Sequence, residues 1–207
     1  TNYIVSTTTG GSGITISGGP ATVASTTGIT VNGVTFGAES LTFEGTNDFT
    51  LTGELTTTKL ETITFNRQVS FGSVVLGTDT ATTVSISNAM TATAGSITIQ
   101  SSFLNLAADL NSTTADINLQ LGTGGLALAN NLTAADDVRL DTAGAITQTA
   151  GIITAANLGV RSQNDVSLTR NNLVSTNFAA AARDVTFNNA STGLLTIGTV
   201  SSITNFF

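Results

Sequence analysis

From Ser96 onward the chain repeats one short phrase: a small or acidic residue, then apolar, polar, apolar. It reads SITIQ from Ser96, DINLQ from Asp116, DVRLD from Asp137, DVSLT from Asp165 and DVTFN from Asp184. Successive starts lie 20, 21, 28 and 19 residues apart, so most intervals sit near 20 and the long one has room for an extra loop or a wider coil. Alternation with period two puts the apolar pair of each copy on one side of a strand. Those pairs are Ile97 and Ile99, Ile117 and Leu119, Val138 and Leu140, Val166 and Leu168, and Val185 and Phe187. They are the expected core, with Phe187 among its largest fillers. One such strand buries too little to hold itself. Stacking copy on copy lines the pairs into a continuous interior, with rungs about 4.8 Å apart.

The first half is written in the same style with a looser period. Alternating runs at 13–17, 28–36, 40–45, 48–53, 61–65 and 69–77 predict short strands separated by turn residues. No segment holds a 3.6-residue period, and the alanines of NFAAAAR at 177–183 are too few to stand as a helix. Regular short strands also fit a sandwich or an up-and-down barrel. A period near 20 favours a parallel β-helix, with three strands and three turns in each coil. The scarcity of Lys and Pro agrees, because a solenoid needs edge protection only at its ends. The expected fold is all-β, one parallel β-helix segment over residues 1–207, with 1–95 less regular than 96–207.

Composition sharpens this picture. Threonine makes up about a fifth of the residues, as suits a β-branched residue in pleated strands. Only 9% of residues are charged, and 13 acidic against 6 basic groups give a net charge of −7. Nothing here neutralises a row of phosphates, so nucleic acid is not an expected partner. Cysteine is absent, which removes disulfides and thiol chemistry. No apolar run approaches the length of a membrane span. The opening Thr1-Asn2-Tyr3 carries no initiator Met and no signal peptide, which reads as a piece of something longer.

The run from 144 to 200, with GAITQTAG at 144–151, ITAANLGV at 153–160, NDVSLT at 164–169 and the closing DVTFNNA and LLTIGTV, resembles the repeat regions of filamentous-haemagglutinin-like adhesins. The likeness is good over 96–200 and loose over 1–95. It implies a right-handed parallel β-helix in a secreted bacterial surface protein, acting as shaft or adhesin. It carries over no catalytic residues.

Candidate chemistry is sparse. Asp136 and Asp137 are the adjacent carboxylates; as strand neighbours they face opposite ways and serve one substrate only if a turn bends them together. With no histidine and only Lys59 as lysine, the plainer reading is a turn before VRL. Asp116, Asp137, Asp165 and Asp184 invite an acidic ladder for calcium, which wants six to eight oxygens. One Asp per coil, with Arg139, Arg161 and Arg183 close by, reads instead as capping and screened charge. GTGGLALAN at 122–130 lacks the Gly-Lys-Ser/Thr ending of a phosphate loop and reads as a turn. Threonine rows of the ice-binding kind need the same outward position coil after coil, and here the threonines drift. The expectation is therefore a structural or adhesive extracellular protein without catalytic, cofactor or metal residues. A carbohydrate-active or glycan-binding β-helix is the alternative. Expected partners are further coils, in the same chain or stacked head to tail beyond the apolar Phe206 and Phe207, and surface glycans.

Overall fold

The computed structural model describes residues 83–200 without a break and, before them, strands lying between Ser12 and Gly77. The expectations placed on the first residues, on Lys59 and on Phe206 and Phe207 lie outside the described residues. Among the described residues there is no helix, and none long and apolar enough to cross a membrane. Among the described residues every strand pairing is parallel. The fold is a parallel β-solenoid with a coil of about 20 residues.

Each coil passes through three faces. On the third and longest, one register column runs Ile14, Val34, Leu55, Val74, Ile97, Ile117, Val138, Leu158, Phe178 and Ile197. Its steps are 19 to 23 residues. The second face stacks Phe49, Val69, Met90, Leu110, Leu132 and Ile153. The first face stacks Val23, Phe43, Phe65, Ile86 and Leu106 in one ladder, and Leu126, Ile146, Val166 and Val185 in another. The two ladders belong to separate sheets. Between them lies the glycine-rich turn at 122–125, where the Phe103 ring sits so close to Gly124 that a Cβ there would meet it at 2.7 Å.

The core follows from alternation. Ile97, Ile99, Ile117, Leu119, Val138, Leu140, Val166 and Leu168 are all buried, as their period-two placement requires. The fifth pair departs from expectation. Val185 is exposed, and Phe187 is only half-buried, its ring stacked on Phe178 at 4.1 Å. Both stand on the last first-face strand described, Val185–Asn189, which pairs with Val166–Ala181 on one side only. Among the described residues this rung has a register neighbour below and none above, so period alone does not bury it.

The 28-residue interval is also not a wider coil. Ile97, Ile117 and Val138 share the third-face column, whereas Val166 and Val185 stack on Ile146 in the first face. The phrase moves from one face to another at Asp165, while the third face continues through Leu158 and Phe178. The alanines at 177–183 take part in this: NFAAA closes the long strand Val166–Ala181.

Side chains explain why threonine and asparagine suit the corners. Thr93 Oγ1 donates to Phe71 O at 3.0 Å, and Thr113 Oγ1 to Ala92 O at 3.2 Å, each reaching one coil back. Among the described residues, the interior holds a buried amide pair. Gln148 takes a position stacked on Leu128, and its amide exchanges hydrogen bonds with that of Asn172, at 2.8 and 3.1 Å. Asn172 Oδ1 also accepts from Ile153 N–H, and Gln148 Oε1 from Arg170 N–H. Both side chains are buried, and the network keeps their desolvated groups partnered.

Candidate functional site

The strongest concentration of chemistry lies where the chain enters the third face. A polar column runs up this edge: Ser96, Asp116, Asp137, Asn157 and Asn177. Ser96 Oγ accepts from Asp116 N–H at 3.3 Å, and Asp116 Oδ1 from Asp137 N–H at 3.1 Å. Asp137 Oδ1 accepts from the Asn157 amide at 2.6 Å, and Asn157 Oδ1 from that of Asn177 at 2.7 Å. Each side chain thus links its own coil to the next.

Asp136 sits in a bend immediately before the strand Asp137–Thr142. That bend brings the neighbours together: one carboxylate oxygen each from Asp116, Asp136 and Asp137 lies within 4.8 Å of the others. Sequence alternation alone would have kept Asp136 and Asp137 apart. Arg139 lies against this group. Its Nη1 is 2.7 Å from Asp116 Oδ2 and 3.0 Å from Asn118 Oδ1, and its Nη2 bonds Asp137 Oδ2. The Arg139 side chain is only 14% exposed, so a cation already stands among these carboxylates. Asp136 is held above the usual carboxylate range, first by the charge of Asp137, then by desolvation and Asp116, with Arg139 pulling the other way.

The four aspartates do not form one ladder. Asp116 and Asp137 belong to the third face, whereas Asp165 and Asp184 precede the first-face strands, where their carbonyls accept from Ile146 and Val166 N–H. Arg161 pairs with Asp141, and Arg183 grips Asp165 through two bonds of 2.7 and 2.8 Å. That grip lowers the Asp165 pKa and raises that of Arg183.

The glycine-rich stretch leads into the strand Leu126–Leu128, so its amides do not open a helix toward an anion. Its glycines allow coils to approach closely: a Cβ on Gly125 would lie 2.6 Å from Ala145 O. Along the third face, the register position of Thr98 holds Thr15, Thr35, Thr56 and Val75 in the earlier coils, so threonines do stack there, contrary to the expected drift; beyond Thr98 it is filled by Asn118, Arg139, Gly159 and Ala179, and the row stops. Val200 packs over this surface, its Cβ and Cγ1 3.2 Å from where a Gly159 Cβ would be. Gln120 Nε2, beside Asp141 in the register, is buried and lacks a hydrogen-bond partner.

Sequence reading did not single out a groove of about 830 Å³ at the corner leaving the third face. It is lined by Gly122, Thr123, Asp141–Ala143, Arg161–Gln163 and Ala181–Arg183. The signal that could have found it is small residues recurring at one turn position, visible only once the coils are in register.

These features define a parallel β-solenoid whose placed polar side chains mainly tie coil to coil. No protein-family model, curated protein or solved structure matches the chain.

Proposed function

We propose that this chain is a structural segment of an extracellular bacterial surface protein: a shaft or filament piece, adhesive rather than catalytic. The observation that carries the reading is the employment of its polar side chains. Asp116, Asp137, Asn157 and Asn177 hydrogen-bond up the stack, where an active site would leave such groups converging on open space. The acidic group at Asp116, Asp136 and Asp137 is occupied by Arg139. The likeness of 144–200 to filamentous-haemagglutinin-like repeats supports the same placement at the bacterial surface. The exposed Val185, Leu194 and Ile197 on the last described coil suit cover by further coils, from the same chain or a second copy.

Electron microscopy and light scattering of the isolated chain test this. Narrow particles of constant width, or filaments growing by whole segments, are expected. A globular outline would sink the shaft reading. Polysaccharide cleavage that disappears in Asp136→Asn or Asp137→Asn would replace it with an enzyme.

A further inference from the structure

We propose that the outward side of the first-face ladder built by Ala21–Ser25, Ser40–Gly45, Thr62–Phe65 and Thr83–Ile86 is an ice-binding surface. Two columns of hydroxyl residues stand side by side on it. One runs Thr22, Thr42, Thr64 and Ser85, and the other Ser40, Thr62 and Thr83. Threonines that drift along the sequence therefore come into register here, coil after coil. On Thr83–Ile86, Val84 and Ile86 are fully buried while Thr83 and Ser85 alternate with them on the opposite, half-buried side. Register partners share a side of a pleated sheet, so both columns keep to that side through the earlier coils. They end one coil later, at Phe103 and Asn105. The hydroxyls of Thr83 and Ser85 make no hydrogen bond among the described residues, whereas the corner threonines Thr93 and Thr113 spend theirs on carbonyls one coil back.

Spacing and charge select the ligand. Alternate residues of a strand repeat at about 6.6 Å, and neighbouring strands at about 4.8 Å. The two columns are thus a small net with two repeats, and its match is a ligand that is itself periodic in two directions. A soluble saccharide or peptide is held by a cleft that closes around it, and an open sheet face offers none. Charge is matched as well. On a chain of net charge −7 neither column carries a charge, and Glu44, beyond them, is the one charged residue on these strands. An ionic mineral finds no counter-charge there. A crystalline polysaccharide finds no aromatic ring in the columns before Phe103. Ice is the neutral crystal whose surface presents hydrogen-bond donors and acceptors at comparable spacing. Threonine hydroxyls extend its water lattice while their methyls fill the hollows between waters.

This activity goes beyond a structural role and fails separately from it, since a rod without affinity for ice keeps its outline. The test is the growth of single ice crystals in a solution of the whole chain, followed through melting and freezing. Faceted crystals and a gap between the melting and growth temperatures are expected. Thr64→Tyr and Ser85→Tyr each raise a ring above the net. Each should shrink the gap at least about twofold, because a small stand-off forfeits much of the contact energy. Thr147→Tyr, at an exposed position of the other first-face ladder, should leave the gap unchanged. Circular dichroism shows which variants fold, and if one of the first two does not, the other decides. Rounded crystals that grow without a gap overturn the proposal. So does a gap indifferent to the folded variants, an equal loss in Thr147→Tyr, or capture by crystalline chitin in place of ice.

Discussion

Asn172 shows how much a single residue adds to what alternation dictates. It is fully buried beside Gln148 and stands in register with Asn189, and its amide serves two coils at once. Truncation to Ala would strand the Gln148 amide and the Ile153 N–H in a dry interior. We expect Asn172→Ala to destabilise by about 2–4 kcal/mol in urea unfolding. A double Gln148→Leu, Asn172→Leu variant should recover part of that loss, because it removes both ends of the polar pair; equal losses in the two proteins would show that the pairing is not the cause. Nothing in the sequence distinguishes Asn172 from the many turn asparagines, since only register places it against Gln148. Asp136 is the opposite case, a surface group under strain from its neighbours. Its raised folded pKa means that its charge opposes folding at neutral pH, and that the opposition fades as pH falls through the folded value toward 3.8. Asp136→Asn should therefore stabilise the fold slightly near pH 7, by no more than about 0.5 kcal/mol because the group is exposed, read as a small rise in melting temperature. The gain should vanish near pH 3.5; a gain of equal size at both pH values would exclude the carboxylate as its source.

At the scale of the element, the period of the phrase gave the fold, while the face on which each copy lies stayed hidden. Ile97 and Val166 sit in the same local pattern, and alternation cannot tell one wall of a coil from another. Strands of three residues such as Met90–Ala92 and Leu132–Ala134 are too short to announce themselves, although strands like them build much of the second face. Turns are legible as glycine-rich, but which glycine is indispensable depends on the coil beneath. A Cβ on Gly144 would lie 2.4 Å from Gly125 N, against backbone that cannot move aside. Gly144→Ala should cost about 1–3 kcal/mol in thermal or urea unfolding. At Gly193 the nearest atom, Ser175 O, would be 3.5 Å from an added Cβ. Gly193→Ala is expected to stay within about 0.5 kcal/mol of the parent. Similar losses at the two sites would mean that backbone entropy, and not the close approach of coils, governs these turns.

On the scale of the whole molecule, every ladder bond points along the stack, and each coil is bonded to the ones directly before and after it. Stretching the protein by its ends therefore loads a series of thin layers, and the weakest peels first while the rest stay folded. One coil of about 20 residues holds roughly 65 Å of extended chain within a rise of about 4.8 Å. Under tension such a segment becomes a tether that lengthens in steps, absorbing work with each released coil and shielding whatever it anchors from sudden load.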